Sequence, residues 1–412
     1  MPDLNHMKIS SLSGFPSEIS DAEFTCRKDK VARVLEDKKL DGMVFFSASS
    51  IFYLTGCALF QTERPIVYIF KPGGGSALLV PRLELEHALD TIRNCEILSY
   101  PEYPGERHPM EYLVDLTCKM GFEKSQIAAD MKGYPGVMGY KGKNLDELMT
   151  EMKITLLPDL IAGLKVHKSK FEVELMKESA RWSQLAHKLL QEYTRPGLTE
   201  IEVASRASSE ATAIMLKALG PRFRLSGLDG GGCYAGYRGQ VGPHSYFPHS
   251  ATINAIFKKG DTLVTGASAS ILGYFSELER VMFVGEPSKE QEYFYGMAVA
   301  AQDAAFAAIK PGKKCSDVDG ELKRFFGEHD LMKYWRHHTG HSIGTGDHEA
   351  PFFDAGDHTS IEPGMCFTVE PGIYVEGLGG FRLSDTLVVT ADGFELITYY
   401  DRNIEGVICS DK

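Results

Sequence analysis

The chain has 412 residues, of which 43% are apolar and 24% are charged, the balance of an ordinary globular protein. This length predicts two domains, and the apolar content excludes disorder as the main state. The formal net charge is −12, from 44 basic and 56 acidic residues, so no basic face is available for nucleic acid or for an anionic membrane surface.

The first part of the chain alternates between helix and strand patterns. Residues 22–39 have the apolar spacing of an amphipathic helix. Four short apolar runs predict buried strands: 42–46, 51–54, 66–70 and 77–80. The last two are joined by a turn with three consecutive glycines, which predicts a hairpin. Because strands and helices alternate, we predict an α/β domain over residues 1–165.

The second domain is predicted to begin with a long helix. Ser169 has the position of its N-cap, and Glu172, three residues later, has that of the capping-box partner. The segment Arg195-Pro196-Gly197 precedes a further predicted helix, and Lys310-Pro311-Gly312 precedes another one 115 residues later. This repetition predicts that residues 166–412 form an α+β domain of two related halves, with internal pseudo-twofold symmetry and a cleft between the halves.

Histidines and glutamates that could carry chemistry are concentrated in this second domain. Glu277 and Glu279 alternate on a predicted strand and therefore face the same side. Glu370 ends a buried strand, and a salt bridge to Arg280 or Arg382 is the structural alternative for it. Imidazole titrates near neutral pH and serves in acid–base chemistry and metal binding. Five of the 13 histidines lie within 22 residues: His337, His338, His341, His348 and His358.

Four segments of the second domain carry a family resemblance: 339–344, 348–349, 368–372 and 381–385. In order and spacing they resemble the family of creatinase, prolidase, aminopeptidase P and methionine aminopeptidase, and the likeness covers nearly all the chain. The resemblance implies a pita-bread fold for the C-terminal domain, a smaller α/β N-terminal domain and a homodimer. It agrees with the internal repetition of the second domain.

The peptidases of that family hold two metal ions with two aspartates, one histidine and two glutamates. The histidine matches His341, the first glutamate matches Glu370, and the second aspartate matches Glu277. Gly266 and Ser384 stand at the other two positions. Glycine has no ligand atom and a serine hydroxyl is a weak ligand, so the match implies no two-ion site. A single ion held by the three matching residues stays open.

The pattern is closest to that of creatinase, which cleaves a guanidinium C–N bond without metal. Glu279 matches the glutamate that contacts the guanidinium in creatinase, and His249 matches its catalytic histidine. Arg64 matches an N-domain arginine that reaches the substrate carboxylate from the other subunit. Three histidines keep instead the spacing of the Xaa-Pro peptidases: His337, His341 and His348.

We therefore predict a metal-independent hydrolase, without cofactor, that cleaves a C–N bond in a small cationic guanidino or amidine compound. Three carboxylates without divalent ions would form a negative pocket that a cationic group could fill. His249 is predicted to act as base and acid. The predicted catalytic residues are His249, Glu279, His341 and Glu370, and the predicted substrate-binding residues are Arg64, Glu277, His337 and His348.

Three other functions stay open. They are an Xaa-Pro aminopeptidase or dipeptidase with an altered metal site, a lyase acting on a sulfonium or other cation, and an inactive fold used as a binding module.

The glycine-rich loop over 228–239 is either a surface connection or an active-site lid. Eight cysteines without a C-x-x-C pair, and a start without a secretory pattern, predict a cytoplasmic protein. The predicted partners are a small-molecule substrate and a second copy of the chain.

Overall fold

The computed structural model describes residues 15–221, 223 and 231–411. Contacts between Cα atoms divide the described chain into two compact units, Glu18–Lys165 and the remainder. We call them the N-terminal and the C-terminal unit. Among the described residues, every helix is too short or too polar to span a bilayer.

The N-terminal unit is an α/β unit built on a six-stranded mixed sheet with the strand order β4-β3-β2-β1-β5-β6. Strand β1 pairs parallel to β5 and antiparallel to β2. Alternate residues of β2 enter two different apolar cores, one on each face of the sheet. The strands are β1 (Gly42–Phe45), β2 (Val67–Lys71), β3 (Gly75–Pro81), β4 (Glu96–Tyr100), β5 (Gln126–Ala129) and β6 (Lys153–Leu156). The helices are α1 (Asp21–Asp37), α2 (Ala48–Thr55), α3 (Leu85–Thr91), α4 (Pro109–Lys119), α5 (Leu145–Leu148) and α6 (Leu160–Lys165).

One predicted strand of this unit is a helix. The run 51–54 lies inside α2, which begins after Ser47 and ends before Gly56. The Ser47 hydroxyl accepts a hydrogen bond from the Ser50 backbone N–H, and Gly56 takes the left-handed conformation (φ 75°) that ends many helices. The prediction was wrong because a short apolar run looks alike in a buried strand and in a buried helix. The predicted hairpin of β2 and β3 is confirmed.

In its described residues, the C-terminal unit packs four α-helices with an antiparallel sheet of strand order β11-β10-β12-β15-β9-β8-β7. Strand β16 pairs with β15, β17 pairs with β9, and β13 and β14 form a separate ribbon. The helices are α7 (Lys170–Tyr193), α8 (Glu200–Leu219), α9 (Lys289–Ala308) and α10 (Cys315–Glu328). The strands are β7 (Gly232–Gly236), β8 (Thr262–Ser270), β9 (Leu278–Val284), β10 (Gly340–Ser342), β11 (Glu349–Phe353), β12 (Cys366–Val369), β13 (Gly372–Val375), β14 (Gly379–Arg382), β15 (Ser384–Val389), β16 (Phe394–Leu396) and β17 (Ile408–Cys409).

The predicted repetition is visible in the order of elements. A helix pair followed by strands of the large sheet occurs twice, first as α7, α8 and β7–β9 and then as α9, α10 and β10, β11, β12 and β15. The capping box at Ser169 and Glu172 is confirmed, with the Glu172 carboxylate accepting from the Ser169 N–H at 2.7 Å. The central strands β9 and β15 are buried along their whole length, so their polar side chains are held in fixed positions.

Candidate active site

Three neighbouring strands bring the candidate residues into one row. Strand β9 lies between β8 and β15, and Glu279 on β9 is paired with Gly266 on β8 and with Ser384 on β15. Residues paired directly across antiparallel strands face the same side of the sheet. Glu277 comes just before β9, and its backbone N–H donates to the Thr386 hydroxyl at 2.8 Å. The register of the sheet therefore places two glutamates next to the two positions that lack a carboxylate.

His341 lies at the centre of β10 and is fully buried. Its Nδ1 lies 3.0 Å from the Ser342 carbonyl oxygen, and because a carbonyl only accepts, Nδ1 carries the proton. Nε2 then faces the carboxylates, 3.2 Å from Glu370 Oε1 and 3.9 Å from Glu277 Oε2. The ring is thus oriented by the backbone on one side and by two acids on the other.

The charges of these three groups are strongly interdependent. Burial, together with the carboxylates of Glu370 and Glu279, raises the pKa of Glu277 to about 8. Burial alone would lower the pKa of His341, but contact with Glu370 and Glu277 raises it to about 9. Burial alone would raise the pKa of Glu370, but His341 and Arg382 lower it to about 2. The Glu277 and Glu370 side chains remain 18% and 11% exposed, so they keep some contact with water.

Glu279 is already paired within the protein. Arg238 Nη2 and Arg382 Nε both form ion pairs with its carboxylate, and Arg382 Nη2 donates to Oε1 at 2.9 Å. Burial alone would raise the pKa of Glu279, but the two guanidinium groups lower it. A carboxylate in contact with two arginines has little capacity left for a cationic substrate group. The cation-binding role predicted for Glu279 is therefore not supported by its surroundings.

Two further predicted histidines lie in this region with different partners. His337 Nδ1 donates to the His338 carbonyl at 2.9 Å, so its Nε2 accepts from the Tyr374 hydroxyl at 2.8 Å. Burial lowers the pKa of His337, which keeps it neutral. The exposed His348 ring stacks on His341, with ring centroids 3.7 Å apart. Burial and the neighbouring His341 lower the pKa of His348.

His249 and Arg64 stand apart from this cluster in their described contacts. His249 is exposed, and no hydrogen bond or ion pair links it to another described residue. The preceding residue is anchored, because the Pro248 carbonyl accepts from Arg382 Nη1 at 2.9 Å. Arg64 belongs to the N-terminal unit, where it pairs with Glu63 and, at 2.6 Å, with Glu102. The substrate role of Arg64 and the acid–base role of His249 stay predictions.

The structure reveals one further residue of the cluster and the actual partners of two arginines. Arg238 was not predicted, and it joins the cluster because β7, which it follows, pairs with β8. The salt bridges considered for Glu370 go to other acids: Arg382 pairs with Glu279, and Arg280 pairs with Asp385 at 2.9 Å. Residues 228–230 of the glycine-rich loop lie outside the described residues, and 232–236 form strand β7.

Comparison with known proteins identifies the family. The model of metallopeptidase family M24 matches residues 174–391, and that of the creatinase/prolidase N-terminal domain matches residues 27–152. The chain belongs to metallopeptidase family M24. It is 28% identical to the probable dipeptidase PepE of Mycobacterium tuberculosis over 382 residues, 90% of this chain and 94% of that protein. The expected two-domain architecture with a pita-bread C-terminal domain is confirmed.

Solved structures of M24 proteins share this fold. A dipeptidase from Pyrococcus horikoshii has a TM-score of 0.74 and 25% identity, covering 93% of this chain and 99% of that one. An Xaa-Pro dipeptidase from Bacillus anthracis has a TM-score of 0.74 and 24% identity, with the same coverage. The predicted metal-independent hydrolase of a guanidino or amidine compound is therefore wrong, because relatives matched over nearly their full length are named as dipeptidases or peptidases. That Glu279 is already paired with two arginines is the physical reason for the error.

The donors of this M24 site do not fit two metal ions. Gly266 and Ser384 supply no carboxylate, and the Ser384 hydroxyl is used in a hydrogen bond to Glu277 Oε1 at 2.6 Å. Asp385, next to Ser384, cannot substitute, because Arg280, Thr398 and Gln302 surround its carboxylate. Two overlapping groups of described side chains have ligand atoms within 4.8 Å of one another, the spacing that a single ion needs: Glu277, His341 and His348, and Glu277, Glu279 and Glu370.

Proposed function

We propose that this protein is a hydrolase of the peptide C–N bond in dipeptide-sized substrates, of the Xaa-Pro dipeptidase or aminopeptidase type, with an altered metal site. The observation that carries the proposal is the buried group of His341, Glu370 and Glu277 in a chain whose relatives, matched over nine-tenths of its length, are named as dipeptidases.

The three side chains supply the proton movements that amide hydrolysis requires. Water must lose a proton as it attacks the carbonyl carbon, and the departing nitrogen must gain one. His341 Nε2 lies 3.2 Å from Glu370 Oε1, close enough for the two to exchange a proton, whereas Glu277 Oε2 at 3.9 Å lies beyond hydrogen-bond distance. We assign His341 and Glu370 to this proton transfer, with Glu277 as the second acid that faces His341, and His348 stacked on the His341 ring. His337 is held by the Tyr374 hydroxyl beside this group.

The proposal is tested with a panel of dipeptides that have proline or another residue in the second position. Released amino acids are measured by mass spectrometry, with and without added Mn²⁺. Glu370→Gln keeps the shape of the side chain but removes its charge, and should lower the rate by about 10²–10⁴-fold. Glu362→Gln, which changes an exposed glutamate of the same unit, is the matched control and should keep the wild-type rate. Absence of any dipeptide cleavage by the wild type under both conditions would refute the proposal.

A further inference from the structure

Arg238 occupies the space opened by the glycine at position 266. A Cβ atom built on Gly266 would lie 3.4 Å from Glu279 Oε1 and 3.6 Å from Arg238 Nη2. The guanidinium thus lies where the end of a longer side chain at this position would be. Arg238 has a φ of 52°, a left-handed conformation that costs a non-glycine residue about 1 kcal/mol. The backbone strain accompanies a side chain directed into the carboxylate cluster.

In the row formed by β8, β9 and β15, the carboxylate lies on the central strand and not on the two outer strands. Gly266 and Ser384, the two positions without a carboxylate, are the partners of Glu279 on the two neighbouring strands. Glu279 carries the carboxylate instead, and it is bound by fixed cations of the protein itself. Even with all three glutamates ionised, three carboxylates and two guanidinium groups leave a single net negative charge before His341 is counted. Two divalent ions would bring four positive charges, which this set cannot balance.

We propose that the Arg238 guanidinium is a built-in cation that takes the place of one of the two ions of an M24 centre, so that this site holds at most one divalent ion. This concerns the ionic content of the site and stands whichever bond the enzyme cleaves. The ion pair of Arg238 and Glu279 differs from a surface salt bridge, because one of its two partners is buried. Arg238 is 37% exposed and its partner Glu279 is 3% exposed, so a partly exposed arginine neutralises a buried acid.

Metal stoichiometry tests the proposal directly. Wild type, Gly266→Asp/Ser384→Glu, and the same double variant with Arg238→Ala are loaded with Mn²⁺ and dialysed. Bound ions per chain are counted by mass spectrometry, and spin coupling of a two-ion centre is sought by electron paramagnetic resonance. Wild type and the double variant should hold no more than one ion, because Arg238 would pair with the new carboxylate at position 266. The triple variant should gain one ion and the coupled signal. The double variant with Arg181→Ala, which removes a different partly exposed arginine, should not.

Two ions in the wild type, or in the double variant that keeps Arg238, would overturn the proposal. A folded triple variant without an added ion would also overturn it. A second measurement does not depend on the triple variant. The single variant Arg238→Ala should regain thermal stability on addition of millimolar guanidinium chloride relative to sodium chloride, whereas the wild type should not. An equal response of both proteins would contradict the built-in cation.

Discussion

The buried histidine of helix α7 gives a prediction that can be worked out in full. His187 has no exposed surface, and its Nε2 lies 2.7 Å from the Thr265 hydroxyl, while Nδ1 has no hydrogen-bond partner among the described residues. Burial and the nearby Arg280 guanidinium lower its pKa from 6.5 to about 3. The folded protein therefore keeps this imidazole neutral at pH values where the unfolded chain protonates it.

The size of the effect follows from the linkage between protonation and stability. Between pH 6.5 and about 3 the unfolded state binds one more proton at this residue than the folded state, so stability falls as the pH is lowered through this range. Each pH unit corresponds to about 1.4 kcal/mol. The contribution of His187 to the loss of unfolding free energy between pH 7 and pH 5 is therefore about 2 kcal/mol.

Urea unfolding at several pH values measures this contribution. His187→Gln can keep a hydrogen bond to Thr265 but does not titrate, so the variant should lose about 2 kcal/mol less than the wild type between pH 7 and pH 5. His329→Gln is the control, because that ring is exposed to water, and it should keep the wild-type dependence. Identical pH dependence of His187→Gln and the wild type would refute the reasoning.

Further substitutions test the packing around the candidate site. Asp385→Ala should cost about 3–5 kcal/mol in urea unfolding, because it leaves the buried Arg280 guanidinium without its anion; a loss below about 1 kcal/mol would show that the pair is not important. Gly340→Ala should cost about 1–3 kcal/mol, since its Cβ would lie 2.1 Å from the Thr368 carbonyl oxygen in the neighbouring strand. Gly296→Ala in α9, where the Cβ meets open space, should instead stabilise by roughly 0.5–1 kcal/mol, and a melting curve distinguishes the two glycines.

The fold could be predicted from the sequence wherever a signal was local. The capping box at Ser169 fixed the start of α7, and the triple glycine fixed the hairpin of β2 and β3. The repetition of sequence segments predicted the two halves of the C-terminal unit. The run 51–54 failed because four apolar residues do not distinguish helix from strand, and the caps at Ser47 and Gly56 were the signal that could have decided it.

The candidate site was predicted only in part, because some of its contacts have no local signal in the sequence. His341, Glu370 and Glu277 lie in motifs that identify them one by one, and the structure brings them together. The partner of Glu279 is set by pairing between strands that are distant in sequence, and no local pattern marks Arg238. An acidic cluster in a sequence therefore indicates a negative pocket only after its internal cations have been found.

The contacts of Arg382 join the carboxylate cluster to a backbone segment that lies outside it. One guanidinium binds both the Glu279 carboxylate and the Pro248 carbonyl, and the imidazole of His249 follows immediately in the chain. The Gln240 amide donates to the same carbonyl at 3.2 Å and to that of Phe247 at 2.7 Å, so the backbone before His249 is held from two sides. The backbone that carries His249 is therefore tied to the buried carboxylate row through one arginine, although the imidazole itself makes no described contact with that row.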